Sequence, residues 1–308
     1  LQRQALELKL PLSLALVSGL PMLGIPAMGV VGCGIATAIA MWAQTLLAAL
    51  ILRRDPFYRR FDLLAPDVRA PHWPSIRALL RLGVPMGLGI GVEVTGFAFM
   101  AIFISRLGET PVAGHQIAAN LVSLLFMMPL ALGNASSTLV AQRIGAGDIG
   151  DARRLCWHGL QFAVGLAALV GAAVFAGRHQ VLQLYTSNPA VVAAALPLLA
   201  WVVLFHTVDA AQSVAAFVLR AWRIATLPTL IYVLALWGVG LSGGYVLAFN
   251  LGGAVPAAWQ GARGYWIAST VGLSLSALGL VALLAWVLHQ QRRTTASVTP
   301  LEQAAAGG

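Results

Sequence analysis

Residues 82–105, LGVPMGLGIGVEVTGFAFMAIFIS, form a mostly apolar run with a single ionisable side chain, Glu93, close to the middle. A run of this length is enough to cross the hydrocarbon core of a bilayer, which takes about 20 mostly apolar residues. A segment surrounded by lipid must satisfy its own backbone hydrogen bonds, so an unbroken apolar run of this length folds as a helix. The chain repeats the pattern. Eight segments qualify as spans, at about 8–24, 29–52, 82–105, 117–141, 155–177, 190–217, 227–250 and 264–289. The first is short, and Pro21, Gly24 and Pro26 interrupt its end and the turn after it. Only 9% of the residues are charged, against about 25% in a soluble domain, so the fold class is an all-α integral membrane protein.

The formal charge of +9 invites a nucleic-acid reading, and the placement of the positive residues removes it. Sixteen of the nineteen Lys and Arg residues fall in loops on one side: Arg3, Lys9, Arg53, Arg54, Arg59, Arg60, Arg69, Arg77, Arg81, Arg143, Arg153, Arg154, Arg220, Arg223, Arg292 and Arg293. The opposite loops hold only Arg106, Arg178 and Arg263. Such asymmetry is the positive-inside signal, and it puts the rich side, including the C-terminus, in the cytoplasm. The longest polar stretch, 53–81, reads as a cytoplasmic linker whose arginines and Trp73 suit the interface beside anionic lipid. Residues 294–308 read as a small, polar, disordered tail. Cys33 and Cys156 lie in different segments with no partner motif, which points to neither a disulfide framework nor a metal site. Leu1 opens in mid-pattern without a signal peptide, so the chain reads as N-terminally truncated.

An internal echo bears on the plan. GVVGCGIAT (29–37) opens the second span and GARGYWIAS (261–269) opens the last, both as Gly-x-x-Gly-x-x-Ile-Ala-Ser/Thr and both entering from the outside. Two hairpins in one orientation suggest parallel repeats, a common transporter plan. Six spans from 82 to 289 then complete one repeat, and residues 1–52 hold the last two spans of the other.

Glu93 is the first candidate for chemistry. An acid at mid-span costs about 2.5–3.5 kcal/mol on insertion scales and marks a functional site by default. Gly83, Gly87 and Gly91 form a small-residue stripe that suits a close helix neighbour, and Pro85, Gly89 and Gly96 make the span easy to bend. Asp209 is the second, in LFHTVDAAQSVAAFVLRAW (204–222). His206, Asp209 and Ser213 fall at i, i+3 and i+7 on one helix face, with Gln212 beside them. Counted from the cytoplasmic ends of their spans, Glu93 and Asp209 lie roughly 16 and 12 Å deep at 1.5 Å per residue. Two carboxyls at one level can bind a proton, or a cation such as Na⁺ through hard oxygen ligands. In the fourth span Asn120 and Ser123 offer polar atoms and Met127 and Met128 adaptable apolar surface, which makes them candidates for a substrate cavity. Asn134, Ser136, Ser137 and Thr138 read as helix packing. Gly145, Gly147 and Asp148 form a cytoplasmic turn that is not a phosphate loop, because no Gly-Lys-Ser/Thr follows. HExxH and GxSxG do not occur, the reading is not an enzyme, and no cofactor is called for.

At this point GVPMGLGIGVEVTGFAF, LGETPVAGHQIAANLVSLLFMMPLALGNASSTLVAQRIGAGD, DAAQSVAAFVLRAW and GVVGCGIATAIAMW resemble the multidrug and toxic compound extrusion (MATE) family in its NorM-like branch. The resemblance runs over nearly all of residues 10–290. It implies a twelve-helix fold in two lobes, with residues 1–52 the end of the N-lobe, 53–81 the linker between lobes and 82–293 the C-lobe. It implies antiport of cationic drugs against Na⁺ or H⁺ by alternating access, in the bacterial inner membrane. The branch places a glutamate in the first C-lobe helix and an aspartate in the fourth, and these fall on Glu93 and Asp209. Two positions depart from the pattern. Phe205 stands where a tyrosine often precedes the aspartate by one turn, and the usual Leu-Arg-Gly-Tyr reads Leu219-Arg220-Ala221-Trp222. Loss of that hydroxyl leaves proton coupling open, with His206 as its helper.

The reading is therefore a secondary active antiporter whose partners are the lipid bilayer and amphipathic cationic drugs, acting as a monomer without nucleic acid. The alternatives are a flippase for lipid-linked precursors within the same superfamily, and a membrane scaffold that does not transport.

Overall fold

The computed structural model describes the backbone of residues 2–19, 26–59 and 71–306, with side chains over 9–19, 26–58 and 71–291. Pro21, Gly24, Arg60 and Arg69 lie outside the described residues, as do the side chains of Arg3, Arg59, Arg292 and Arg293. The chain divides into two units, residues 1–76 and 77–308.

The first unit holds α1 (Gln2–Ser18), α2 (Gly29–Arg54) and the single turn α3 (Pro56–Arg59). Gly32, Ala36 and Ala40 recur every four residues and are the buried positions of α2, a small-residue stripe that lets α1 lie close. The Met28 N–H donates to the Leu16 carbonyl at 3.0 Å and closes the connection. Asp55 Oδ1 accepts from the Phe57 N–H at 2.9 Å and starts α3. The apolar part of α1 is Lys9–Ser18, short of the length a span needs. Seven helices rather than eight are therefore long and apolar enough to cross a membrane among the described residues. The expected span at 8–24 falls short because Glu7 and Lys9 make its start polar and 20–25 lie outside the described residues.

The second unit runs α4 (Trp73–Ser105), α5 (Glu109–Gly145), α6 (Ile149–Ala176), the short α7 (Arg178–Tyr185), α8 (Pro189–Ala221), α9 (Thr226–Ala248) and α10 (Ala262–Ala306), with a 3₁₀ turn at Ala257–Trp259 before α10. Six of these helices carry a span, that of α10 being Ala262–Gln291. Helix α4 starts nine residues before the expected span, inside the polar linker. Trp73-Pro74 sets this up, since proline suits the first turn, where its missing N–H costs nothing. The backbone of α10 continues as helix to Ala306, over the stretch whose sequence reads as a disordered tail. The run Leu301-Glu302-Gln303-Ala304 consists of good helix formers.

Turn chemistry sets the other ends. Gly147, at φ 79°, ends α5 in a Schellman motif: its N–H donates to the Ile144 carbonyl and that of Asp148 to the Arg143 carbonyl. The Asp148 side chain then caps α6 by accepting from the Asp151 N–H at 2.9 Å. Asn188 caps α8 in the same way, with Pro189 at its first position.

Helix α8 is the middle of the bundle and packs on α5, α6 and α10. Val214, Ala215, Ala216, Val218 and Leu219 are all buried, and Phe217 and Arg220 are half-buried. Around it the core falls into two clusters. One is built on Ile104, Leu121, Leu199, Val202 and Trp266, the other on Val140, Cys156, Leu160, Val214 and Leu284.

The middle of α9 is a π-helix, Leu234–Ser242, in which each carbonyl reaches one residue further along than in an α-helix. The Ser242 hydroxyl donates to the Trp237 carbonyl at 3.0 Å, five residues back. Helix α10 lies directly on this segment. A Cβ at Gly272 would stand 2.5 Å from the Ala235 carbonyl oxygen and 3.0 Å from the Gly240 nitrogen, so only glycine permits the approach.

Candidate functional site

A cavity of about 730 Å³ lies inside the second unit, walled by α4, α5, α8 and α9. Each wall contributes a few polar groups to a mostly apolar surface: Glu93 from α4, Gln116, Asn120 and Ser123 from α5, Gln212, Ser213 and Arg220 from α8, and Thr229 and Tyr232 from α9. Phe97, Phe126, Met127 and Phe217 are among the apolar residues between them. Its volume and composition are those of a small-molecule site.

Glu93 is half-buried in this wall. The Tyr232 side chain, across from it on α9, is hydrogen-bonded to Glu93. Asp209 is 5% exposed and lies close enough to Glu93 and to Tyr232 for their charges to interact. Depth along the helices had suggested that the two acids share a level, and the bundle brings them together. Asp209 stands behind the cavity surface and is represented there by its neighbours. The Ser213 hydroxyl lies 3.4 Å from Asp209 Oδ1 and 3.3 Å from Gln212 Oε1, so its single proton is shared between two long contacts. The group presents two carboxyls, a phenol, a hydroxyl and an amide oxygen. These are hard oxygen donors, suited to a proton or an alkali cation and unsuited to a soft metal. Among the described residues no three His, Cys, Asp or Glu side chains come together as a metal cluster.

The remaining candidates divide. Asn120, Ser123 and Met127 line the cavity, and Oδ1 of Asn120 accepts from the Tyr185 hydroxyl at the end of α7, at 2.8 Å. Met128 is not part of the lining, because it follows Met127 and points about 100° further round the helix. Phe205 and His206 also lie away from it. Phe205 packs with Phe97 and Trp266, its ring centroid 5.9 Å from each of theirs. His206 is 1% exposed, and its Nε2 has no hydrogen-bond partner. The glycine stripe behaves differently from its expectation. Gly83, Gly87 and Gly91 have no heavy atom within 4 Å of where a Cβ would sit, and α9 instead approaches at Gly89 and Gly96. Those two glycines lie on the face of α4 that Pro85 and Val92 share through their carbonyls, which accept from Thr229 and Trp237 of α9.

Tyr232 and Arg220 were not singled out as site residues from the sequence. For Tyr232 the signal is a lone phenol inside an apolar span, six residues from the start of α9. Arg220, in the last turn of α8, stacks its guanidinium over the Phe217 ring at 4.4 Å and so reaches the cavity from a position that reads as the membrane edge.

Seven apolar helices long enough to cross a membrane among the described residues, and a cavity that bears an acid within the second unit, define a multi-pass membrane protein. The MatE family model matches residues 85–246, more than half of the chain, and the chain belongs to that family. The probable multidrug resistance protein NorM of Aromatoleum aromaticum is 38% identical over 289 residues, which cover 94% of this chain and 60% of that protein. The multidrug resistance protein MdtK of Photorhabdus laumondii is 35% identical over 269 residues, 87% of this chain and 58% of that one. Among solved structures, the eukaryotic MATE transporter AtDTX14 superposes with a TM-score of 0.79 at 22% identity, over 94% of this chain and 62% of that one. That likeness shows the shared fold. The chain spans about 60% of the length of these curated relatives.

Proposed function

We propose that this chain is part of a secondary active multidrug antiporter that exports amphipathic cations in exchange for Na⁺ or H⁺. The observation that carries the reading is the meeting of Glu93, Asp209 and Tyr232 at the wall of the 730 Å³ cavity. Its relatives are named as multidrug resistance proteins. In a twelve-helix transporter, residues 1–52 supply the last two N-lobe helices, 53–81 the linker and 82–293 the C-lobe. The assembly sits as a monomer in the bacterial inner membrane, with linker and C-terminus cytoplasmic.

The mechanism follows from charge. With neither cation bound, Glu93 and Asp209 place negative charge in a low-dielectric wall, which favours any cation that enters. A drug cation seated against Met127 and Phe217 draws on the same charge as the coupling ion, so the two compete, and competition makes the exchange obligatory. Exchange of one monovalent drug for one coupling ion moves no net charge, so the ion's concentration gradient drives export uphill; the membrane potential adds about 2.3 kcal/mol per 100 mV only for each further ion taken in. Gln212 and Ser213 add oxygen ligands around Asp209. His206, one turn away and buried, assists when the ion is a proton. If the ion is Na⁺, Glu93 and Asp209 are its metal ligands and the Tyr232 oxygen takes the place of the hydroxyl missing at Phe205.

One observation favours a second reading. Arg220 lines the cavity, and a guanidinium there suits the phosphate of a lipid-linked precursor, as a flippase needs. Dye efflux from everted vesicles carrying the full-length gene product decides. Efflux driven by a Na⁺ or pH gradient and lost in Glu93→Ala supports the antiporter and identifies its ion. Efflux indifferent to both gradients sinks it, and the flippase or scaffold reading takes its place.

A further inference from the structure

We infer that Trp237 is a positioning residue for Glu93, acting through the backbone of α4 rather than through the cavity. The inference rests on Glu93 being a cation-binding group, as proposed above.

The Trp237 Nε1–H donates to the Val92 carbonyl at 3.0 Å. That carbonyl belongs to the peptide bond that also carries the N–H of Glu93, so the indole fixes the peptide plane from which the acid projects. The Thr95 hydroxyl supports the same turn through the Gly91 and Val92 carbonyls, at 2.5 and 3.3 Å. Helix α4 needs such support. Pro85 removes a backbone donor from it, and Gly83, Gly87, Gly89, Gly91 and Gly96 lower its stiffness around the acid.

Two features deliver the indole. Gly96, one turn beyond Val92, leaves the lane through which the ring enters: the site of a Cβ there is 3.6 Å from Trp237 Nε1 and 3.5 Å from Leu236 Cδ2. A branched side chain at 96 would fill it. Trp237 also sits in the π-helical segment, whose register is held by the Ser242 hydroxyl on the Trp237 carbonyl and by Gly272 of α10 beneath it. The indole therefore rides on a braced part of α9 while Glu93 rides on a soft part of α4. Trp237 itself does not line the cavity, so an effect of its removal on Glu93 travels through the Val92 carbonyl.

The test uses the full-length transporter in nanodiscs and reads the Glu93 carboxyl by infrared difference spectroscopy against Glu93→Gln, during titration with H⁺ and with Na⁺. Trp237→Phe keeps the ring and loses the donor. It is expected to change the affinity of Glu93 for the ion that it binds by about fivefold, the size of one net hydrogen bond. Phe99→Leu is the control: it removes the ring packed edge-on against Trp237 at 5.9 Å and leaves the N–H in place, and it is expected to leave that affinity unchanged. An unchanged affinity in Trp237→Phe, or equal shifts in both variants, overturns the inference. Should Trp237→Phe not fold, the indole N–H Raman band of the unaltered protein takes over. It is expected to move as Glu93 fills, and a fixed band overturns the inference. A Glu93 band that responds to neither ion in the unaltered protein is a different result, and brings down the antiporter reading with it.

Discussion

The Tyr185 hydroxyl donates to Oδ1 of Asn120 at 2.8 Å, and so ties a cavity-lining amide of α5 to the last residue of α7. The bond fixes the orientation of this amide at the cavity wall. Tyr185 touches no part of the acid group. Tyr185→Phe is therefore expected to weaken dye binding by about two- to tenfold, one hydrogen bond's worth, while the ion dependence of efflux stays as it was. Fluorescence titration of a cationic dye, paired with the vesicle assay, reads the two separately.

Removing either carboxyl acts on the coupling itself. Glu93→Ala and Asp209→Ala are expected to abolish ion-driven efflux while melting in detergent within a few degrees of the parent. Truncating a costly buried acid does not by itself destabilise the bundle, because nothing positively charged is left unpaired behind it. Full ion-driven efflux in either variant would remove that residue from the site.

Tyr232→Phe isolates the phenol. The ring stays packed and only the hydroxyl bonded to Glu93 is lost. A hydrogen bond to a charged group is worth about 1.5–3 kcal/mol, and this one favours the ionised carboxyl, so its loss is expected to tighten a coupling proton by roughly tenfold or more, whereas losing the phenol oxygen as a ligand is expected to loosen a coupling Na⁺. Isothermal titration measures either change, and an unaltered affinity would leave Tyr232 a packing residue.

Gly272 offers a test of the fold alone. Any side chain there meets the Ala235 carbonyl at 2.5 Å. Gly272→Val is expected to lower the thermal midpoint of the purified protein by more than any substitution at Gly83, where no atom lies within 4 Å. A core clash of this kind costs about 1–3 kcal/mol.

The turn after α5 separates two local effects. Asp148→Ala removes the cap of α6 and is expected to cost about 1 kcal/mol. Arg143→Gln breaks only the exposed ion pair with Asp151, 2.8 Å long, and is expected to change stability by less than about 1 kcal/mol. Chemical denaturation in micelles ranks the two, and the reverse order would mean that the ion pair holds the turn.

Much of this was legible in the residues because the bilayer is an unforgiving solvent. Glu93 and Asp209 stood out by their cost, and counting depth from the arginine-rich ends was enough to bring them to one level. Tyr232 escaped notice since a phenol in an apolar span costs little and so raises no alarm. His206 shows the limit of facing arguments. It shares a helix face with Asp209, yet the cavity reaches α8 only from Gln212 onward, and His206 lies buried a turn and a half before that, so sharing a face does not mean sharing an opening. The π-register of α9 left no mark, because LALWGVGLS has no residue that demands a fifth-neighbour bond. It follows from packing, with Gly240 and Gly272 allowing α10 to press against the backbone.

That register also bears on how such a helix can change over time. In an ordinary span an inserted or deleted residue turns every later side chain by about 100° and sends the outer third of the helix to the wrong neighbours. Leu234–Ser242 already accommodates extra residues without losing its backbone bonds. A single-codon deletion in this stretch can relax it toward α-geometry and re-phase Tyr245, whose hydroxyl accepts from Arg106 at 3.2 Å, and Phe249, whose ring the Arg106 guanidinium covers at 5.3 Å, while Thr229 and Tyr232 keep their places. The C-terminal end of α9 can thus vary in register independently of the acid group that its first turns help to hold.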